Sequence, residues 1–275
     1  MPEQTWRRLF SATEELIRTG RFPPGTKLPT IAELDPRQSS GRPRSAEAAL
    51  LTAESENGDG WSKANVERAY RELAAYGLVV QRHRTGTIVR DTSVIPIPLS
   101  RYGRVLQPGG RRGPWETATA EVGLDGRMVA LDVQEVAAPD SVAAHLELPP
   151  GEPVVLRRRH AVVGSEVIQL QSAWYPLDIA RTAGLNQPGK IAGGVLGAMR
   201  ASGLTPVAGD EIVEARLPNK EEASELGIGL RVPVLLVSRI TRLASDAAER
   251  PIELVQSIAA SDRIRLIYKG LLLDG

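Results

Sequence analysis

The sequence predicts an α+β protein in two parts: a helical front third closed by a two-stranded hairpin, and a rear domain built on an antiparallel sheet with helices inserted between strands. Three observations predict this. Apolar side chains recur at helical spacing through most of the first 90 residues, and strand-like runs appear there only at Leu78-Val79-Val80 and Thr87-Ile88-Val89. A stretch rich in Pro, Gly and Arg follows, from Ser93 to Trp115. Beyond Thr117, alternating strand-like runs dominate. A length of 275 residues suits two domains at roughly 100–200 residues each.

In the front third, Leu9, Phe10, Leu16 and Ile17 give Trp6 to Thr19 an amphipathic helical face that ends at Gly20. Phe22-Pro23-Pro24-Gly25 is a turn, since proline presets φ and glycine relieves the next position. Thr30 is placed to cap a short helix through Ile31, Ala32 and Leu34. Residues 35–60 read as an inserted loop, with a short helix possible at Ala46–Glu54. Ser62 caps a stronger helix whose apolar face is Val66, Ala69, Tyr70, Leu73 and Ala74. Gly77 ends it, and two strands joined by residues 81–86 complete the unit. Three helices and then a hairpin is the order of a winged helix-turn-helix, whose third helix enters the DNA major groove. Residues 1–91 are therefore a DNA-binding domain and 92–116 a linker.

In the rear domain, 117–275, strands are expected at Arg127–Val136, Val154–Val163, Val167–Tyr175, Pro206–Arg216, Val234–Leu243 and Pro251–Ala259, with Ile264–Tyr268 a further strand or extension. Helices are expected at Ser141–Leu146, Leu177–Ala183, Val195–Ser202 and Lys220–Leu226, and no internal repeat is visible.

Composition excludes several chemistries. Cysteine is absent, which removes disulfides, thiolate metal sites and cysteine nucleophiles and fits a reducing cytosol. His83, His145 and His160 are far apart in sequence, so neither a metal site nor a cofactor is expected. No run approaches the roughly 18 apolar residues of a membrane span, and MPEQTWRRLF lacks the apolar core of a signal peptide. A cytoplasmic protein is expected. Net charge is only +1, yet residues 1–90 hold 14 basic and 11 acidic side chains against 16 and 20 in residues 117–275, so any polyanion partner belongs to the front.

Spaced motifs in this order resemble a known family. Pro24-Gly25-Thr26-Lys27-Leu28-Pro29-Thr30, Ser62-Lys63-Ala64-Asn65-Val66-Glu67-Arg68-Ala69, Gly77-Leu78-Val79 and Gly86-Thr87-Ile88-Val89 resemble the DNA-binding module of GntR-type bacterial regulators. Val167 to Gln171 leading to Trp174-Tyr175-Pro176, Arg239-Ile240-Thr241, Pro251-Ile252-Glu253 and Asp262-Arg263 are similar to the UTRA effector domain of its HutC branch, a chorismate-lyase-like antiparallel fold, in actinobacterial-type members above all. The resemblance implies a homodimeric repressor that leaves an inverted-repeat operator when a small molecule binds. The alternatives are a repressor without ligand response, or an enzyme of chorismate-lyase-like fold; no acid/base pair or nucleophile motif favours the enzyme, and fold analogy does not carry function.

The resemblance places DNA contacts at Thr30, Ser62, Lys63, Asn65 and Arg68, and on the wing at Arg82, His83, Arg84 and Thr87. Lys63 suits a phosphate or a guanine edge, and Asn65 suits adenine N6/N7. Three features depart from the family: Glu67 stands at a usually basic position, Arg84 at a wing glycine with Thr85 at the basic position, and the turn of the helix-turn-helix carries residues 35–61. Arg37, Arg42 and Arg44 could serve as a phosphate-binding arm there, against the plainer reading of a surface loop. In the rear domain the resemblance implies effector contacts at Arg158, His160, Gln171, Tyr175, Arg239 and Glu253. Counting from the Gly164-Ser165 hairpin puts the family's paired arginines at Arg158 and His160, with Arg157 and Arg159 facing away; a slip of one residue would swap the two sets. Gly194 and Leu196 stand where sugar-phosphate-binding members carry serine and tyrosine, so the expected effector is flatter and more apolar or singly anionic, not a sugar phosphate. An Arg158–Glu253 ion pair without a ligand is the plain alternative.

Overall fold

A computed structural model describes residues 2–35, 37, 45–82, 84–98, 113–191, 193–243 and 249–268. Two compact units emerge: Met1–Ser93 with Leu217–Val232, and Val94–Arg216 with Pro233–Gly275.

The first unit holds α1 (Pro2–Arg18), α2 (Ile31–Leu34), α3 (Ala46–Ala53), α4 (Lys63–Ala75), β1 (Val79–Arg82) and β2 (Gly86–Val89). Its core gathers Leu9, Phe22, Leu28, Leu34, Leu51, Trp61, Val66 and Leu73, each essentially buried. β1 and β2 pair antiparallel, Val79 opposite Val89, and residues 26–28 add a third edge through Leu28 N donating to Thr87 O and Val89 N to Thr26 O. The Tyr70 hydroxyl donates to Pro29 O at 2.9 Å, which ties α4 to the segment entering α2.

The insertion at 35–60 is not simply a surface loop. Ser45 caps α3 by accepting from Ala48 N, Ala48 and Leu51 are fully buried, and Trp61 Nε1 donates to Leu51 O at 2.8 Å. α3 is thus part of the domain core. Of the arm residues, Arg37 is exposed, while Arg42 and Arg44 lie outside the described residues.

Segment 217–232 also belongs to this unit. It carries α9 (Lys220–Leu226), capped by Asn219 in a capping box with Glu222. Arg231 N donates to Ala75 O, and Arg231 Nη1 to Glu72 Oε2 at 2.7 Å. Gly229 lies so close to Ala74 O and Ala75 O that a Cβ there would collide with backbone.

The second unit is a six-stranded antiparallel sheet in the order β4-β5-β6-β9-β8-β7. The strands are β4 (Gly126–Ala137), β5 (Pro153–Val163), β6 (Glu166–Pro176), β7 (Pro206–Arg216), β8 (Val234–Leu243) and β9 (Arg250–Ala260). β7 and β8 occupy their sequence-predicted spans, β5 gains one residue at its start, and β4, β6 and β9 gain one residue at each end. Helix α6 (Asp140–Leu146) packs Val142, Ala143 and Leu146 with Leu254 and Ile240. α7 (Leu177–Thr182) and α8 (Gly194–Ala201) pack with Val155, Ala173, Tyr175 and Val255. Strand–helix–strand occurs twice, as β4-α6-β5 and β7-α9-β8, a repeat of form that the sequence does not show.

The stretch read as a linker, 92–116, contributes two elements to this unit. β3 (Ile95–Pro98) pairs parallel with β10 (Ile264–Ile267), Ile95 N donating to Arg263 O. Its prolines alternate with isoleucines, so the N–H groups of Ile95 and Ile97 remain to serve the ladder. Gly113 precedes α5 (Pro114–Ala120), whose Trp115 is buried and donates to Val162 O. Residues 99–112 lie outside the described residues.

Candidate functional site

In the first unit the expected contact residues cluster on α2, α4 and the hairpin. Ser62 accepts from Asn65 N and fixes the start of α4, where Lys63 is exposed and Asn65 half-buried. Thr30 precedes α2, and its N and Oγ1 both donate to Glu33 Oε2 at 2.9 and 2.8 Å. Glu67, the departure from the family's basic residue, sits 3.7 Å from Lys63 Nζ one turn on. Exposed pairs of this kind contribute little stability, so Lys63 remains available to an anion. Arg68 lies over the Trp6 ring at 4.3 Å, which holds its guanidinium against α1.

On the wing, Arg82 pairs with Gly86 at the hairpin end and Arg84 is exposed. Arg84 has φ 63°, so arginine adopts the left-handed conformation at the position where the family has glycine. Thr87 is half-buried, opposite Gln81. His83 lies outside the described residues. Exposed Lys27, missed by motif reading, lays its side chain beside Gly86 and adds a cation to the same edge. Ile31, Glu67, Arg71, Gln81 and Thr87 line a shallow groove there. The result is a capped helix start flanked by a hairpin, with cations on both.

The second unit contains a cavity of about 340 Å³. On β5, β6, β8 and β9 its sheet wall is built from odd-numbered residues: Arg157 and Arg159 of β5, Gln169 and Gln171 of β6, Glu253, Val255 and Ser257 of β9, and Val237 and Arg239 of β8; β4 adds Met128 and Ala130. Cross-strand pairing aligns Arg159, Gln171, Ser257 and Val237 in one row. Gln171 donates to Ser257 Oγ at 3.2 Å.

The expected assignment of Arg158 and His160 to this wall is corrected by the register. A regular hairpin from Gly164-Ser165 would set Arg158 opposite Gln171. Instead β6 bulges at Ile168, so pairing passes from Val162↔Val167 to Ala161↔Gln169 and sets Arg159 opposite Gln171. One extra residue reverses the face that a count predicts. Arg158 is exposed on the other face and paired to Asp132 at 2.9 Å, holding that carboxyl below its ordinary range. His160 shares the Arg158 face, opposite Val129 and Leu170.

The two cavity arginines differ. Arg157 is buried, and its guanidinium donates to the carbonyls of Leu185, Gln187 and Gly189 at 2.6–2.7 Å. Burial and Arg159's charge lower its pKa against the influence of Tyr175. It shapes the loop leading to α8 and has little left to offer a ligand. Arg159 makes no hydrogen bond or ion pair among the described residues, and its Nε is buried.

Glu253 is fully engaged. Its carboxylate accepts from Tyr175 Oη at 3.0 Å, Arg239 Nη2 at 2.6 Å and Thr241 Oγ1 at 2.8 Å. Burial pushes its pKa up, but Arg239's charge, the hydrogen bonds of Thr241 and Arg239, and Arg159's charge hold it below the ordinary value. The expected second anchor is thus a residue that positions Arg239. Tyr175 lies fully buried behind it, its hydroxyl pushed above its ordinary pKa by burial and by Glu253. The opposite wall brings Trp115 and Glu116 of α5, Lys190, and the turn Gly193-Gly194 to Leu196 opening α8. Alternation along Gln169-Gln171 and Glu253-Val255-Ser257 was the available signal for the sheet wall; nothing in the Pro/Gly-rich stretch signalled Glu116.

Among the described residues no group of three or more His, Asp or Glu is placed to hold a metal ion, and no helix is long and apolar enough to cross a membrane.

Comparison with known proteins gives these features a family. Residues 122–265 match the UTRA domain. An HTH-type transcriptional regulator of Streptomyces coelicolor is 29% identical over 245 residues, covering 86% of this chain and 82% of its own. The HTH-type transcriptional repressor PhnF of Mycolicibacterium smegmatis is 26% identical over 208 residues, covering 74% and 76%. A solved GntR-family transcriptional regulator superposes with TM-score 0.56 at 25% identity over 98% of both chains. The PhnF crystal structure shares the fold at TM-score 0.55, covering 96% of this chain and all of that one. With that domain spanning over half its length behind a winged helix-turn-helix, the chain belongs to the UTRA-domain family of GntR-type, DNA-binding transcriptional regulators.

Proposed function

We propose that this regulator is a cytoplasmic repressor of HutC type. It binds an inverted-repeat operator as a homodimer, because two-fold protein symmetry is mirrored in half-sites. Ser62, Lys63 and Asn65 read the major groove, with Thr30, Arg68 and the wing residues Arg82, His83, Arg84 and Thr87 on the backbone or minor groove. Lys27 adds a phosphate contact. A small effector enters the cavity and releases the operator.

The observation that carries the effector reading is Arg159: a cation lining the cavity, with no hydrogen bond or ion pair among the described residues. Gln169, Gln171 and Ser257 lie beside it as neutral polar partners, and Ile97, Met128, Val237 and Leu266 supply apolar walls. A phosphate wants several donors, and Arg157 is committed to loop carbonyls. The effector is accordingly a largely apolar molecule with one anionic group, not a sugar phosphate. Coupling runs through segment 217–232, whose ends continue into β7 and β8 while its body packs on the end of α4. Release requires different effector affinity in the operator-bound and free states.

Fluorescence anisotropy on a fragment of the regulator's own promoter tests this. Apolar monocarboxylates should release the fragment from the wild type and not from Arg159→Gln. Release by sugar phosphates, or by monocarboxylates equally well from Arg159→Gln, contradicts the reading.

A further inference from the structure

The cavity also carries an anion. Glu116, in the first turn of α5, lines it, and Glu116 Oε2 is buried with no hydrogen-bond partner. Neither Glu116 nor Arg159 makes an ion pair among the described residues, so the two do not neutralise one another across the space they share. An unpaired carboxylate facing a confined site is costly, and the cost is offset when a cation arrives. The Glu116 carboxylate lies against Gly113, where a Cβ would sit 2.7 Å from Oε2, so the missing side chain makes room for it. α5 precedes residue 122, where the UTRA match begins.

Resting on the effector reading above, we infer that Glu116 and Arg159 form the two poles of a site for a dipolar ligand: a molecule with a carboxylate at one end, an ammonium at the other and an apolar body between them. Arg159 takes the carboxylate. Glu116 takes the ammonium and is the specificity-determining residue that separates this class from plain monocarboxylates. The apolar floor of Met128, Val237 and Ala259 accommodates the body, and a cavity of about 340 Å³ suits a molecule of small-drug size.

Isothermal titration of the full-length protein with matched probes tests this: straight-chain carboxylates of six to ten carbons, on the order of small pocket ligands, their ω-amino counterparts, and the corresponding alkylamines. At the chain length that spans the poles, the ω-amino acid should bind at least about tenfold tighter than the matched carboxylate. Glu116→Gln should reduce that preference below about twofold. Gly113→Ala, which retains the charge but displaces the carboxylate, should weaken the preference as well. A preference absent at every length, or one that survives Glu116→Gln, overturns the inference. If the carboxylates bind in an Arg159-dependent manner without any gain from the amine, the dipolar site is wrong and the monoanionic effector stands. If no probe binds, both are wrong.

Discussion

Replacing Glu253 by glutamine should destabilise the second unit far more than a surface charge change would. Glu253 is 1% exposed and Arg239's side chain 15%, and the two groups meet at 2.6 Å with Tyr175 and Thr241 completing the carboxylate's partners. Glutamine keeps the shape but leaves Arg239 without its counter-charge, with Arg159's field adding to the excess. Breaking a buried pair by removing one partner costs about 3–5 kcal/mol. For a domain of this size each kcal/mol moves Tm by about 2–4 °C, which predicts a loss of roughly 6–20 °C. The assay is thermal unfolding followed by tryptophan fluorescence, with Trp115 and Trp174 in the second unit.

The pH dependence has a definite sign. Because Glu253's folded pKa lies below its ordinary value, its ionised form stabilises the native state above the unfolded-state pKa, about 4.3 for glutamate. The gap between wild type and Glu253→Gln should be full above about pH 5 and close as pH falls through the depressed folded value. The double variant Glu253→Gln/Arg239→Met should recover part of the loss, since it removes the uncompensated buried charge. A cost under about 1 kcal/mol for Glu253→Gln, the scale of an exposed pair, or a gap that does not change with pH, would refute the reasoning.

Two further variants probe the first unit. Arg84→Gly removes a side chain from a left-handed backbone position, φ 63°, and should stabilise the domain by about 1 kcal/mol in urea unfolding while lowering DNA affinity and its salt slope, as one cation is lost. Leu51→Ala, in the insertion, should cost about 2–5 kcal/mol because Leu51 is fully buried; a change within about 0.5 kcal/mol would mean that α3 is no part of the core.

Much of the architecture was legible because period and punctuation agreed. Val66, Ala69, Tyr70 and Leu73 between Ser62 and Gly77 give a helix with both ends marked, and α4 forms there. β7 and β8 occupy their expected spans, with helix-capping Asn219 punctuating the connection between them. Three features were hidden for physical reasons. The bulge at Ile168 leaves no mark on composition yet reverses the facing of β5 relative to its hairpin, so a count from Gly164-Ser165 points to Arg158 and His160 where Arg157 and Arg159 face the cavity. β3 is half proline and finds its partner β10 at the far end of the chain, a pairing that local pattern cannot reveal. Glu116 sat in a stretch whose glycines and prolines read as a linker, although Pro114 at the first turn and buried Trp115 make it a helix that closes the cavity. The proposed DNA contacts rest on resemblance, whereas Lys27 gains its place only when residues 26–28 join the wing as a third strand edge.

The most direct measurement of the central claim is selection of genomic DNA fragments by the purified protein near 150 mM salt, a condition under which non-specific phosphate binding is weakened. A sequence-specific regulator recovers a small set of fragments that share an inverted repeat, its own promoter among them. Uniform recovery of all fragments, falling steeply with salt, would contradict it and mean that Glu67, Arg84 and the insertion have cost the winged unit its base readout.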